Sequence, residues 1–415
     1  MIRHLVRLMW NRKRQNLLLM AEVFVAFLVV VGVAVLAMHF GNNARQPLGF
    51  SIDRVWMIEV DRGRDRRENR DAAGPDRETV RRMMTELRSL SGVEHVAASF
   101  TGPYRAYSWN EALRLEGRPE FMVSINRVDD GFAEMFGVSV VAGRWFSRED
   151  DGAVWEPVVI NRALARMVFG GADPIGQTIR ELPPTRRGPL TPASSRPKRV
   201  VGVIEDFRQF GELSTPGPVL MYRLDFAAAP DRIELPEILL VRVAPGTAAA
   251  FEEPIVRRLS AIAPAWSIAV QDVGARRDAM LNENLVPLTV IAVVAGSLLL
   301  MVALGLTGVV WQNVTQRMRE FGLRRAQGAT GAGVGWQVIA ELVVMTSFSV
   351  ALGLVLIAQI PLIPFPPDLT LVPREVFLAG VLLAVVAVYA VTIACAWYPS
   401  RLAARVPPAE ALHYE

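Results

Sequence analysis

Lysine is almost absent from this sequence of 415 residues, in which only Lys13 and Lys198 occur among 45 basic side chains. A phosphate-binding P-loop needs a lysine followed by serine or threonine, because its amides hold phosphate while the lysine reaches the β- and γ-phosphates. Each lysine here precedes an arginine. The sequence therefore provides no P-loop of its own.

Cysteine and histidine are also scarce. The one cysteine, Cys395, lies in an apolar run, so no disulfide can form within the chain. The four histidines, His4, His39, His95 and His413, are scattered and lack the spacing of a metal site. Neither a Gly-x-Ser-x-Gly nor a His-Glu-x-x-His pattern is present. We therefore expect a chain that is not catalytic alone and binds no metal or cofactor.

Four long apolar runs account for much of the 52% hydrophobic content. A helix needs about 20 apolar residues to cross a bilayer, and each run is long enough. The first exceeds the apolar core of a cleaved signal peptide, about 7 to 15 residues, which favours a retained span over a cleaved signal. Glu22 and Glu341 are the charged residues within them. The runs are Leu17–Met38, Leu285–Trp311, Val334–Ala358 and Val376–Tyr398.

Charge is distributed unevenly along the chain. Residues 41 to 284 contain 33 basic and 34 acidic side chains, whereas four arginines crowd the loop between the second and third runs. Positively charged loops stay on the cytoplasmic side of a membrane. We therefore predict that this loop and both termini are cytoplasmic and that residues 41 to 284 are outside. The excess of basic residues then reflects topology and contact with membrane lipid, and not binding of nucleic acid.

The loop Arg317–Thr330 has the most distinctive pattern. Its order of charges and glycines resembles the loop of FtsX-like, MacB-type ABC transporter permeases. That resemblance implies a coupling helix that docks onto a separate ATPase. The ATPase contacts that it implies are Arg319, Glu320, Gly322, Arg324, Arg325 and Gly328.

Other stretches resemble the same family, in the same order along the chain. They are Gly143-Arg144-Trp145-Phe146, Pro157–Asn161, Asp173–Gly176, Val201–Ile204 and the tail 399–415 with its Glu-Ala-Leu and Tyr-Glu. The resemblance covers nearly the whole chain. It implies the type VII mechanism, in which the permease transmits movement across the membrane.

These observations predict an α+β membrane protein with four transmembrane helices, arranged 1+3, and a large extracytoplasmic α+β domain between the first and second spans. The predicted segments are a cytoplasmic amphipathic helix (1–16), span 1 (17–40), the extracytoplasmic domain (41–284), span 2 (285–311), the coupling loop (312–333), span 3 (334–358), an external loop (359–375), span 4 (376–398) and a cytoplasmic tail (399–415).

Two β-α-β patterns lie near the ends of the external domain, at about 53–100 and 237–273, with an insert at 101–236. They suggest a pseudo-repeat packed side by side, although an ordinary α+β domain could show the same order by coincidence. A helix at Asn161–Phe169 is expected to stop at Gly170. Residues 183–197 hold five prolines and predict an exposed loop. A stalk helix at 275–284 is expected to be interrupted at Pro287.

Five residues lie within or beside the membrane, and one of them, Glu341, has more than one interpretation. Glu341 lies inside a span, where an ionisable group suggests function, yet a structural contact near the ATPase fits its place near the cytoplasmic end. The same ATPase-proximal role is predicted for Glu410, Tyr414 and Glu415. Glu22 lies near the cytoplasmic interface and can reach water by snorkelling.

Small residues are concentrated in the second span. Small side chains let helices approach closely, so this stretch is a candidate seam with a second permease chain. Ordinary glycine usage in membrane helices explains the pattern equally well. The residues are Gly296, Ser297, Ala303, Gly305 and Gly308.

The resemblance implies a permease subunit in the bacterial inner membrane that exports an antibiotic, peptide, lipoprotein or similar substrate. Its expected partners are two copies of an ATPase, which bind the ATP and Mg, a second permease chain (homodimer or heterodimer), and a candidate periplasmic adaptor. An FtsX-like regulator of cell-wall hydrolases is the alternative, and a membrane-anchored enzyme is disfavoured by the missing catalytic motifs.

Overall fold

The computed structural model describes residues 13–63, 73–105, 109–117, 119–180, 196–226, 235–359 and 372–405. The chain divides into two compact units. Of the described residues, the helical unit comprises those up to Asn42 and those from Asn284 onward, and the sheet unit comprises those within Asn43–Glu283. The predicted amphipathic helix at 1–16 falls mostly outside the described residues, as do the proline-rich loop at 183–197 and most of the tail.

The helices, in chain order, are α1 (Lys13–Ala44), α2 (Ala73–Ser89), α3 (Phe132–Phe136), α4 (Arg162–Phe169), α5 (Glu252–Ile262), α6 (Val273–Gln316), α7 (Met318–Ala326), α8 (Gly331–Ile357) and α9 (Arg374–Arg405). The strands are β1 (Val55–Asp61), β2 (Val93–Ser99), β3 (Trp109–Leu113), β4 (Phe121–Val128), β5 (Val140–Gly143), β6 (Glu156–Asn161), β7 (Thr178–Ile179), β8 (Lys198–Ile204), β9 (Val219–Arg223), β10 (Ile238–Val243) and β11 (Ser267–Asp272).

Four helices, α1, α6, α8 and α9, are long and apolar enough to cross a membrane. They contain the four predicted apolar runs in the predicted 1+3 order, which confirms the fold class. The expected interruption at Pro287 was wrong, since α6 continues through it. Proline removes one helical hydrogen bond. The carbonyl that loses its partner belongs to Glu283, which is an exposed residue.

Polar contacts join three of the long helices. Thr346 of α8 meets Thr392 of α9 with 3.1 Å between their hydroxyl oxygens, and Ser349 donates to the Met20 carbonyl of α1 at 2.8 Å. A Cβ on Gly353 or Gly380 would clash with α1 at 2.5 and 2.6 Å, so both glycines permit close packing there. Helix α6 packs least, because only 11% of its apolar window is buried, against 39% for α8.

Exposed aromatic side chains mark one end of the helical unit. Trp311 of α6 stacks on Tyr398 of α9 with ring centroids 6.3 Å apart, Trp336 of α8 is exposed, and Arg401 lies over the Trp397 ring. Tryptophan and tyrosine collect at membrane–water interfaces. This belt indicates a membrane surface at the end of the unit that carries α7.

The two β-α-β units of the sheet unit are interleaved, so the side-by-side arrangement was wrong. The strand order begins β11-β1-β10-β2, and β1 pairs antiparallel with both β10 and β11. Each unit therefore receives one strand of the other between its own two strands. This is the split β-α-β arrangement.

Both faces of the two inner strands, β1 and β10, are buried. Helices α2 and α5 cover one face, where Met83, Leu87 and Leu259 pack against Ile58 and Val241. The opposite face carries Met57 and Leu240 and packs against aromatic residues of the insert, including Phe132 and Phe136. Burial on both sides explains why β1 and β10 are almost continuously apolar.

The insert continues the same sheet in the order β4-β9-β6-β8-β5. One pair, Ser99↔Val128, joins it to β2. The predicted helix after β6 is present as α4, with Asn161 as its N-cap and Gly170 after its end. At Gly143 φ is +70°, and a Cβ would lie 2.3 Å from the Val201 carbonyl, which accounts for glycine in that motif.

Candidate functional site

The basic loop forms a short helix between two long ones. Helix α7 (Met318–Ala326) follows α6 after one residue, Arg317, and is anchored by Phe321, whose side chain is buried in the helical core. Gly328 adopts φ +97° beyond its end, and Thr330 caps α8 by accepting a hydrogen bond from the Gly333 amide. The loop is thus a folded element and not a simple connection.

A closed ring of polar contacts fastens α7 to α8. Arg317 lies at its centre, with its Nε 2.9 Å from Glu320 and its Nη1 2.9 Å from both oxygens of Glu341. Arg324 donates to Glu320 and to the Gln337 side-chain oxygen, each at 2.5 Å. Gln337 donates back to Glu341 at 3.3 Å, which completes the ring. We call these five residues the Arg317 ring.

The Arg317 ring is electrically balanced and partly buried. Two guanidinium groups face two carboxylates, and the Arg317 and Glu341 side chains are 14% and 20% exposed. Arg317 also lies over the Phe321 ring, 5.3 Å from its centroid. Removal of one partner from such a cluster leaves an uncompensated buried charge, which is strongly destabilising. The ring therefore fixes the position of α7 against α8.

A small cavity of about 20 Å³ adjoins the ring, lined by residues that include Asn313, Arg317, Glu341 and Met345. This volume suits about one water molecule and is far below the several hundred Å³ of a ligand pocket. The arrangement is suited to holding a helix in place and not to binding a small molecule.

A second face of α7, about 100° round the helix from Glu320 and Arg324, is exposed. Arg319 is exposed, and among the described residues it has no hydrogen bond or ion pair. Leu323, four residues later on the same face, is 52% exposed. We call Arg319 and Leu323 the outer face of α7. The outer face thus presents one cation and one apolar side chain to its surroundings.

The structure divides the predicted coupling residues into two groups. Glu320 and Arg324 have partners within the chain, Gly322 is buried, and Arg319 and Gly328 are exposed. Contact of any of these with an ATPase stays a prediction. Arg317 and Gln337 were not among the predicted site residues, although the spacing of 317, 320 and 324 and of 337 and 341 places each set on one helical face.

Other predicted residues lie elsewhere. The side chain of Arg325 and all of Glu410, Tyr414 and Glu415 are outside the described part of the chain. In the candidate seam, Gly296, Ser297 and Gly308 are exposed on α6 and Ala303 is half-buried. Gly305 faces α1 of the same chain, where a Cβ would lie 3.1 Å from the Glu22 carboxylate. A seam with a second chain stays a prediction.

Two family models match most of the chain. The MacB-like periplasmic core domain matches residues 17–257, and the FtsX-like permease C-terminal domain matches residues 292–408. The order of the two matches agrees with a sheet unit inserted after α1 and three long helices behind it.

Two relatives and one solved structure are similar to parts of this chain. The macrolide export ATP-binding/permease protein MacB of Escherichia coli (strain K12) is 27% identical over 75% of this chain and 46% of its own length. The uncharacterized ABC transporter permease YknZ of Bacillus subtilis is 21% identical over 79% of this chain and 77% of its own. The periplasmic region of MacB from Actinobacillus actinomycetemcomitans covers 56% of this chain and 94% of that structure, with a TM-score of 0.36 and 14% identity.

The chain spans about half the length of the MacB relatives that it matches. The core-domain model alone covers more than half of this chain, and it confirms the resemblance seen in the sequence. This chain belongs to the family of MacB-like and FtsX-like ABC transporter permeases.

Proposed function

We propose that this chain is the permease subunit of a MacB-type ABC transporter, which passes ATP-driven movement from a cytoplasmic ATPase to the sheet unit. The single observation that carries the proposal is the Arg317 ring. A docking helix can transmit force only if it is held firmly, and the ring holds α7 to α8 through five side chains.

The outer face of α7 is the proposed ATPase contact. Its arginine is a planar, always charged donor suited to a carboxylate, and Leu323 offers apolar surface beside it. We propose that ATP and Mg bind to the ATPase subunit and not to this chain, since its two lysines do not fit a P-loop. Two ATPase copies and a second permease chain, identical or related, complete the proposed assembly.

We further propose an inner-membrane location with α7 and both termini in the cytoplasm and the sheet unit outside. The arginines around α7 support this orientation through the positive-inside rule. Movement of the sheet unit would then drive export of a substrate at the outer face, with a periplasmic adaptor as a candidate further partner and membrane lipid around the helices.

The outer face can be tested without altering the ring. The double variant Arg319→Ala with Leu323→Ala should reduce co-purification of the ATPase about tenfold, because it removes a charged and an apolar contact at once. Its thermal unfolding in detergent should match that of the wild type. Arg374→Ala is the matched control, since Arg374 is an exposed arginine at the opposite end of the helices.

If no ATPase co-purifies with the wild-type protein, and a cell-wall hydrolase does so instead, the export function is wrong and regulation of hydrolases takes its place. If the ATPase binds equally well to the wild type and the double variant, the outer face is not the contact. Hydrolysis of ATP by the purified chain, shown to be free of other proteins, would contradict a separate ATPase.

Orientation has its own test. In a Cys395→Ser background, a cysteine at exposed Ser89 should react with an impermeant thiol reagent applied to spheroplasts. A cysteine at exposed Gln316 should react only after the membrane is opened. The reverse pattern would place α7 outside and contradict the proposed coupling.

A further inference from the structure

The loop between β8 and β9 (residues 205–218, the β8–β9 loop) is bound to the end of α1. Arg208, which is 3% exposed, donates to the carbonyl oxygens of Asn43 at 2.8 Å and Gln46 at 3.0 Å. The Asn43 side-chain amide donates in return to the Leu213 carbonyl at 2.9 Å. Each side of this contact, the loop and the end of α1, therefore donates hydrogen bonds to the other.

The same loop is bound to the beginning of α6. The Arg277 Nε lies 2.5 Å from the Glu212 carboxylate. Arg276 donates to the Tyr104 carbonyl at 3.1 Å, and the Tyr104 amide donates to the Gln209 carbonyl at 2.8 Å. One loop therefore contacts both helices whose further residues form the first and second membrane spans.

The packing around the loop leaves little room for movement within it. At Gly49 φ is +84°, and a Cβ would lie 1.5 Å from the Asp206 carbonyl oxygen. At Gly211 φ is +80°, and a Cβ would lie 2.4 Å from the Tyr104 ring. Both positions require glycine for backbone angle and for space. The loop is therefore closely packed at these two positions, against residue 49 and against Tyr104.

Arg208 is chemically suited to the end of a helix. The last carbonyls of a helix have no partner within it and carry the negative end of its dipole, which favours a cation. The two Nη atoms of Arg208 donate to four carbonyls, those of Asn43, Gln46, Glu212 and Ser214. Lysine has three donors on one atom and cannot reproduce this fork.

The loop also continues into the centre of the insert. The Asn161 side chain donates to the Asp206 carboxylate at 3.2 Å and to the Gly217 carbonyl at 2.9 Å. Its oxygen accepts from the Val219 amide at 3.0 Å, at the start of β9. Asn161 ends β6 and caps α4, so both ends of the loop are tied to inner strands of the insert.

We propose that the β8–β9 loop is the joint at which α1 and α6 together act on the insert, and that Arg208 is the positioning residue of this joint. The proposal rests on the proposed function, because that function supplies the ATP-driven movement of the helices. It adds the place where the movement enters the sheet unit, and it assigns Arg208 no part in binding the ATPase.

Amide hydrogen exchange in the full permease–ATPase complex tests the joint. With a non-hydrolysable ATP analogue as the probe, exchange at residues 206–217 of the wild type should change at least about threefold between the nucleotide-free and the loaded complex. Arg208→Lys should lower this nucleotide-dependent difference to less than half while the ATPase still binds. A residue with only a structural role would raise exchange equally in both states and leave the difference intact.

The matched control is Arg242→Lys. Arg242 also donates to backbone carbonyls, those of Glu134 and Met135, but it holds α3 and not the membrane helices. The nucleotide-dependent difference at 206–217 should stay at its wild-type value in this variant. An equal loss in both variants would show that loosening the domain anywhere abolishes the response, and would overturn the role of Arg208.

A milder variant covers the case in which Arg208→Lys fails to fold. Glu212→Gln removes the charge that pairs with Arg277 and leaves the Arg208 contacts in place, so it should reduce the difference to about half. A wild-type difference in Glu212→Gln would overturn the joint. If the ATPase binds and hydrolyses ATP but wild-type residues 206–217 do not respond, the joint is wrong and the proposed function stands. If no ATPase binds, the proposed function itself fails.

Discussion

Two arginines hold the ends of long helices in this protein, and they use different acceptors. Arg317 is bound by the carboxylates of Glu320 and Glu341, whereas Arg208 is bound by backbone carbonyls at the end of α1 and within its own loop. In the first case the positive charge is neutralised by side chains. In the second the hydrogen-bond acceptors are carbonyl dipoles, and burial lowers the pKa of Arg208 from its ordinary value against the opposing charges of Glu212 and Asp206 nearby.

The difference teaches how each contact can be changed. The ion pair of Arg317 with a carboxylate can be removed by changing both partners. Replacement of an ion pair by apolar side chains of similar size is often neutral or stabilising for the fold. Backbone carbonyls cannot be deleted by substitution. The Arg317 ring is therefore open to compensating mutations, and the Arg208 contact can be altered only from the arginine.

The largest effect is expected from Arg317→Met. This change leaves Glu320 and Glu341 without their shared cation and should lower the free energy of unfolding by about 3 to 5 kcal/mol. Adding Glu341→Met should restore most of the loss, because Glu320 keeps Arg324 as a partner. Denaturant unfolding in detergent measures both variants. Equal instability of the single and double variants would contradict the comparison.

Asp129 extends the comparison to a buried carboxylate that has no ion pair among the described residues. Asp129 is 8% exposed, and its Oδ1 has no hydrogen-bond partner among the described residues. Burial, with Asp130 nearby, raises the pKa of Asp129 to about 7, against the opposing effects of backbone amides and Arg88. An unfolded aspartate releases its proton near pH 3.9. Stability from this group is therefore complete below about pH 4 and is lost as the pH rises to about 7.

Asp129→Asn should remove that dependence. Each unit of pKa shift corresponds to about 1.4 kcal/mol, so the variant should gain about 2 to 4 kcal/mol over the wild type at pH 8 and only about 1 kcal/mol at pH 4.5. The midpoint of unfolding measured across this range tests it. Glu116→Gln, at an exposed position in the same unit, serves as control and should show no such trend.

The smallest effect is expected from Arg324→Lys. Lysine keeps the charge but cannot span Glu320 and Gln337 with two separate nitrogen atoms, so about 1 kcal/mol of stability should be lost with one hydrogen bond. Arg319→Lys is the matched change on the outer face and should leave stability unchanged. If both variants unfold alike, Arg324 contributes no more to the ring than an exposed arginine does.

Local patterns in the sequence were sufficient for the long helices, the basic loop and most strands. The runs around Glu22 and Glu341 had the length of spans, and the β-α-β periodicities matched elements of the sheet. Strand order was not predictable, because the strands that pair with β1, β10 and β11, are far from it in the sequence.

The candidate site was only partly predictable. Family resemblance indicated Arg319, Glu320 and Arg324, but the direction in which each side chain points depends on how α7 lies against α8. Arg208 gave no signal at all, since it lies in a loop of the insert and its partners are 162 and 165 residues away in sequence.

The interleaving of the two β-α-β units determines when the sheet can be completed during synthesis of the chain. Strand β1 ends at Asp61 and its neighbour β10 begins at Ile238, so at the rates of translation the first unit waits roughly 9 to 35 s for its missing strand. During that time α2 is already present, but the edges of β1 and β2 that pair with β10 have no partner strand. The last strand, β11, ends at Asp272, directly before α6. Completion of the sheet and synthesis of the second membrane helix are thus adjacent events, and a delay at this point leaves a half-built domain attached to a single membrane helix.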